Sequence, residues 1–282
     1  MKLTLPGAQI FIPDATSTHE ALNRTTHLAI GAHQDDLEIM AIDGILKCFQ
    51  LHDKWFTGVV VTDGRGPLRN GPYEHFTNEE MHLVRIKEQK KAAMIGEYSA
   101  QVFLDYPSSV IKNPIDTRST DDMTSLLKST KPEIIYTHNP ADKHDTHVAV
   151  LLRVLDAIWQ LPINQRPKHL YGCEVWRNVD WLLDEDKVVF DTSKHKNLQA
   201  ALIEVHDSQI SGGKSYDLAT MGRRLTNSTY HNSLGFESMT GAAFAMNLTP
   251  LIHQRGLDID IFLKEIIERF AIDCQRRLER VR

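Results

Sequence analysis

His33, Asp35, Asp36 and Glu38 crowd into one short stretch, Gly31-Ala32-His33-Gln34-Asp35-Asp36-Leu37-Glu38. A second cluster lies far down the chain, in Thr137-His138-Asn139-Pro140-Ala141-Asp142-Lys143-His144-Asp145-Thr146-His147. Imidazole nitrogens and carboxylate oxygens are ordinary ligands of a zinc-type cation, and the same groups move protons in catalysis. One such stretch alone is unremarkable. Asp at a helix start caps free N–H groups and suits the helix dipole, and Asp35 with Glu38 resembles a capping box. Two clusters together offer a mixed His/carboxylate metal site with ligands from both.

The elements around the clusters have the right form to bring them together. The apolar run His27-Leu28-Ala29-Ile30 reads as a buried parallel strand, and the residues from 37 to 52 read as a helix with a wide apolar face. Glu133 to Thr137 reads as a second strand, followed by a helix from about 145 to 160. Each cluster therefore sits where a strand ends and a helix begins, the edge at which open α/β sheets bind ligands. Further along come a strand at 55–62, a helix at 79–95 closed by Gly96, and a strand at 102–106. A helix at 121–129, strands at 169–176 and 187–191, and a helix at 196–208 follow. The segment 236–246 looks partly extended, and 258–280 reads as a long amphipathic helix. Alternating β and α elements predict an α/β fold. The expected form is a Rossmann-like, doubly wound, mostly parallel sheet with helices on both faces and C-terminal α+β additions. Residues 1–25 read as an extended lead-in and 26–282 as a single domain, its more variable, substrate-shaping part at about 165–282.

The pair Ala32-His33-Gln34-Asp35-Asp36 and His138 to His147 resembles the PIG-L/LmbE-like family of zinc-dependent N-deacetylases. That family carries Ala-His-Pro-Asp-Asp near its first strand and a later His/Asp segment. Val59-Val60-Val61-Thr62-Asp63-Gly64 looks like its second strand, and Arg85-Ile86-Lys87-Glu88 like its Arg-x-x-Glu helix. Lys196, Ala200, His206, Ser208 and Gln209 resemble a later helix, so the likeness runs from about residue 26 to about 250. One departure stands out: Gln34 replaces the family's Pro, which puts the substrate pocket more than the chemistry in question.

The resemblance implies His33, Asp36 and His147 as ligands of Zn²⁺, although a His₂Asp set accepts other divalent ions. It implies Asp35 as general base and His144 as the residue that steadies the tetrahedral oxyanion. Asp142, Asp145 and His138 are candidates for orienting the ligand histidines. Arg85 matches a substrate-binding arginine; the competing view is a surface Arg paired with Glu88 on the next turn. The expected reaction is removal of an N-acetyl group from an N-acetylglucosamine-type sugar or glycoconjugate. Two alternatives stay open: a zinc amidase for a larger N-acyl or thiol conjugate, and a non-catalytic sugar-binding protein of the same fold. The loop at 63–78 is expected to shape substrate access, with Arg65, Arg69, Tyr73 and His75 as incidental solvated side chains. Tyr171, Trp176 and Trp181 are expected in the core rather than stacked on a sugar.

Composition narrows the field. At 282 residues, with 41% hydrophobic and 24% charged residues, the chain has the makeup of a soluble globular protein. A net charge of −5 offers no footprint for nucleic acid. A dinucleotide-binding oxidoreductase is disfavoured, because the first strand–helix turn lacks G-x-G-x-x-G and sets carboxylates where a pyrophosphate would lie. Three scattered cysteines, Cys48, Cys173 and Cys274, suggest reduced thiols. No signal-like or membrane-spanning stretch is seen, so a cytoplasmic location is the default expectation, with homo-oligomerisation left open.

Overall fold

The computed structural model describes residues 1–233, 235–254 and 256–282. Eight strands form one sheet: β1 (Gln9–Phe11), β2 (His27–Gly31), β3 (Phe56–Thr62), β4 (Ala100–Tyr106), β5 (Ile134–His138), β6 (His169–Cys173), β7 (Lys187–Asp191) and β8 (Ala242–Asn247). The helices are α1 (Thr18–Asn23), α2 (Asp36–Met40), α3 (Ile42–Cys48), α4 (Asn78–Ile95), α5 (Ser108–Ile111) and α6 (Arg118–Thr130). They continue with α7 (Asp145–Trp159), α8 (Lys196–Glu204), α9 (Asp207–Ile210), α10 (Tyr216–Tyr230), α11 (Thr249–His253) and α12 (Ile259–Val281).

The strand order is β1-β4-β3-β2-β5-β6-β8-β7. The centre, β4-β3-β2-β5-β6, is parallel throughout, while β1, β8 and β7 pair antiparallel at the edges. The order reverses between β2 and β5. That is the topological switch point, so a crevice opens at the carboxyl ends of these two strands. Successive side chains of each strand enter opposite cores. Leu28 and Ile30 pack with Val59, Val61, Val102 and the α7 residues Val150, Leu151 and Val154 on one face. Ala29, Val60, Phe56 and Tyr136 pack with α2, α3 and α8 on the other. Two-sided burial explains the uninterrupted apolar sequence of β2 and β3.

Several boundaries differ from the expected ones. Residues 1–25 are not merely an extended lead-in: β1 joins the sheet edge and α1 packs beside α6 and β4. The helix expected over 37–52 is two helices, broken at Ala41 (φ −106°, ψ 23°). The helix expected over 196–208 also breaks, at His206 (φ −85°, ψ 51°), whose ring turns inward to Glu38. Gly96 ends α4 at φ −82°, and the left-handed residue is Glu97 (φ 52°). Gly96 is required for space instead, since a Cβ there would meet the Tyr98 ring at 2.4 Å. The strand expected to run to 176 stops at Cys173.

Candidate metal centre and catalytic cleft

β2 and β5 are neighbours in register, so the loops that leave them lie side by side. Three donor atoms converge there. His33 Nδ1 lies 3.2 Å from His147 Nε2 and 3.3 Å from Asp36 Oδ2. His147 Nε2 lies 3.4 Å from the same Asp36 oxygen. A tetrahedral zinc with bonds of about 2.0–2.1 Å separates its ligands by about 3.3 Å. The triangle therefore has the edge such a cation requires, and two neutral imidazoles with one carboxylate would leave it net positive. The donor set fits a divalent cation.

Local structure holds each donor. The backbone N–H of His33 donates to Asp36 Oδ2 at 2.7 Å, closing the turn after β2. His147 is fully buried on the first turns of α7, with its Nδ1 3.5 Å from Asp142 Oδ1. Asp142 also accepts the backbone N–H groups of His144 (3.0 Å) and Trp176 (3.1 Å), tying three segments to one carboxylate. Burial raises the Asp36 carboxyl, but His147 and His138 beside it outweigh that and hold it well below the usual range. Burial opposes a proton on His147, yet Asp36 and Asp142 raise it above the ordinary imidazole value.

His138 could join an alternative set, because its ring, the Asp36 carboxylate and the His147 ring are within ligand reach of one another. Its Nε2, however, accepts the Ala32 N–H at 2.9 Å, which occupies the lone pair a metal would need. The ring stacks on His147 at 3.9 Å, interplanar 18°. His138 thus braces β2 against His147. His144 stacks on the other side of His147 at 4.6 Å. Its Nδ1 accepts the Thr146 N–H at 3.2 Å as the N-cap of α7, so the neutral ring carries its proton on Nε2. Asp145 is exposed at the start of α7 and takes no part in these contacts. Its expected orienting role is corrected: it sits where an anion complements the helix dipole.

Asp35 adopts φ 103°, ψ −31°, strained backbone for a residue with a Cβ. Its N–H donates to Gln89 Oε1 at 3.3 Å. Burial pushes its carboxyl up to about 7, against the pull of Arg85. No capping box forms with Glu38. That carboxylate is fully buried and accepts from Gln89 (2.8 Å), Tyr98 (2.7 Å) and His206 (3.1 Å). Arg85 is 3% exposed, which removes the surface-pair view. It donates to the Gln34 carbonyl at 2.7 Å and lies 3.7 Å from Asp35 Oδ1. Glu88 turns away and accepts the Ser208 N–H and hydroxyl at 2.8 and 2.6 Å.

A cleft of about 880 Å³ opens over this centre, lined by His33, Asp35, Asp36, Arg85 and His144 at its base. Residues 63–70 form one wall, and Trp176, Lys214, Tyr216 and Arg223 stand in the other. Arg65 is not incidental: it bridges Asp105 (3.1 Å) and Glu79 (3.2 Å), fastening the loop to β4 and α4. Arg69 bonds the loop to itself through the Arg65 and Phe76 carbonyls, and Tyr73 donates to Asp207 at 2.6 Å. Gln34 faces the loop. A Cβ on Gly64 (φ 67°) would meet its Oε1 at 2.4 Å. Trp176 lines the cleft, against expectation, whereas Trp181 packs on Phe270 and Tyr171 on Tyr136 and Phe190. Tyr216 meets Trp176 edge-on at 5.9 Å.

Residues 28–158, from β2 to the end of α7, match the model of the PIG-L family, described as GlcNAc-PI de-N-acetylase. Over this stretch, a little under half of its length, the chain is similar to that family. No curated protein matches the chain. Among solved structures, N,N'-diacetylchitobiose deacetylase from Pyrococcus horikoshii is similar at 16% identity and a TM-score of 0.62, over 84% of this chain and 88% of its own. The hydratase GalB, which acts on 4-carboxy-2-hydroxymuconate in Pseudomonas putida, matches at 16% and 0.62, over 79% of this chain and 96% of its own. An antimicrobial pseudoaglycone deacetylase matches at 13% and 0.55, over 80% and 97%. At these identities the likeness is one of fold. At 79–84% of the chain, it extends beyond the PIG-L match. Among the described residues, no helix is long and apolar enough to cross a membrane.

Proposed function

We propose that the chain is a divalent-metal, zinc-type N-deacetylase for an N-acetylglucosamine-type sugar or glycoconjugate. The triangle of His33, Asp36 and His147 at the floor of the cleft carries the proposal, because its edges suit a tetrahedral cation. Such an ion supplies polarisation of the acyl oxygen and a more acidic water. The chain's own residues do the rest. Asp35, poised near neutrality, takes the proton of the attacking water as the new C–O bond forms. As the C–N bond breaks, that proton passes to the leaving amine. His144, with its proton on Nε2, donates to the acyl oxygen as charge collects there. Arg85 keeps the Gln34 carbonyl and the Asp35 turn in place. Trp176 and Tyr216 offer an aromatic wall to a sugar face.

The fold match to a hydratase favours one second reading: addition of the activated water to a carbon–carbon double bond. The deciding experiment follows acetate release from N-acetylglucosamine glycosides by metal-replete protein. Release that disappears on chelation and returns with metal supports the deacetylase. Hydration of an unsaturated hydroxy acid without acetate release supports the alternative.

A further inference from the structure

The last helix, α12, spans 23 residues and buries only Ile266 fully. Its first turns pack on the body through Ile259, Phe262 and Leu263. Beyond Ile266 the same apolar stripe continues at intervals of three and four residues and stays partly exposed, although Phe270 still meets Trp181 and Arg269 still pairs with Asp186 at 2.7 Å. Ile267 is 47% exposed, Phe270 37%, Leu278 53% and Val281 83%, and Cys274 is exposed as well.

The stripe is symmetric about Cys274. Ile267 and Val281 lie equally far on either side of it, as do Phe270 and Leu278. When two such helices run antiparallel about a two-fold axis at Cys274, Ile267 of one copy comes level with Val281 of the other. Phe270 comes level with Leu278. Each level then holds two different apolar side chains side by side, as a knobs-into-holes seam requires. The charges agree with this arrangement. From Lys264 to the centre Glu265, Glu268 and Asp273 outnumber Lys264 and Arg269, and after it Arg276, Arg277, Arg280 and Arg282 outnumber Glu279. Antiparallel pairing therefore lays a half of net charge −1 on a half of net charge +3. Asp273 and Arg277, ion-paired within the helix at 2.6 Å, border the seam, so Asp273 of each copy falls beside Arg277 of the other. A parallel pair would set the two +3 halves against each other.

We propose that α12 is a self-association surface, through which two copies of this chain form an isologous antiparallel dimer with Cys274 at the two-fold axis. None of the seam residues lines the cleft.

The test uses the full chain. Light scattering on a reduced sample at about 100 µM should give twice the chain mass. Mild oxidation should then cross-link Cys274 to Cys274, since Cys48 and Cys173 are buried. Leu278→Glu should give monomers with an unchanged circular dichroism spectrum. Asp273→Arg should weaken the dimer, and Asp273→Arg combined with Arg277→Asp should restore it. A monomeric wild-type chain at that concentration would overturn the proposal. Equally fast cross-linking of Ile261→Cys in a Cys274→Ser background, on the opposite face of the helix, would also overturn it. So would light scattering by the wild-type chain only in the presence of anionic lipid vesicles, which would make the stripe a membrane contact.

Discussion

His33 Nδ1 lies 3.2 Å from His147 Nε2 although 114 residues of chain separate them. The contact exists because β2 and β5 are sheet neighbours and each delivers its next loop to the same crevice. Asp36 closes the triangle from the first turn of α2.

That triangle predicts which histidines hold metal. His147→Ala and Asp36→Ala should lose the bound divalent ion, measured by elemental analysis of the purified protein. His138→Gln should retain it, with affinity lowered by roughly 10–100-fold, because His138 braces a ligand without contributing a lone pair. Equal metal loss in all three variants would make His138 a ligand.

Asp35 and Asp36 are adjacent carboxylates with separate tasks under the proposal. Asp35→Asn should keep the metal and nearly the same shape, while kcat falls by roughly 10²–10⁴, the usual worth of general acid–base catalysis. KM should move far less, since the lost interaction belongs to the transition state. A metal-replete variant with most of its kcat intact would rule Asp35 out as the base.

Arg85 sits beneath the cleft, bonded to the Gln34 carbonyl and close to Asp35. Its removal should disturb the turn that presents the base as well as substrate affinity. Arg85→Ala should therefore lower kcat, by up to about 10²-fold for a displacement near 1 Å, with metal content unchanged. A rise in KM alone would assign it to substrate contact only.

His27 lies at the start of β2, 5% exposed, and burial lowers its imidazole to about 4. In the unfolded chain it titrates near 6.5. The folded state therefore resists a proton that the unfolded chain accepts. Its contribution is complete above pH 6.5 and declines as pH falls toward 4, by about 3 kcal/mol across the window. Urea unfolding at pH 7 and pH 4.5 should show the wild type losing more stability than His27→Asn. An equal loss in both proteins would mean that His27 is not the responsible group.

Much of this architecture is legible in the sequence because it rests on local periodicity. The apolar runs of β2, β3 and β5 are buried on both faces, so they read as central strands. The His and Asp residues follow them directly, which marks the sheet edge as the site. Trp176 is less legible: its place depends on an N–H bond to Asp142, 34 residues earlier in the chain, which no nearby pattern encodes. Asp145 looked equivalent to Asp142 in sequence, but the start of α7 sends one inward and the other to solvent.

The sequence by itself determined the parallel core, the two His/Asp edges and their likeness to a deacetylase family, because strand burial and metal-competent residue types are properties of short segments. Only the tertiary structure decided the order β3-β2-β5, the donor triangle and the supports behind it. α10 shows the reason. Its buried residues are Thr220, Arg224, Asn227 and Ser228, while Leu218 and Leu225 are 72% and 52% exposed. Its inward face is polar because Arg224 must reach the Glu38 carbonyl at 2.7 Å and Asn227 the Glu174 carboxylate at 3.0 Å. Leu218 and Leu225, seven residues apart, mark its outward face, so reading the hydrophobic periodicity would turn this helix the wrong way. Its partners are set by the whole fold, and Arg224, Gln89 and His206 acquire their roles only once the chain brings them to Glu38.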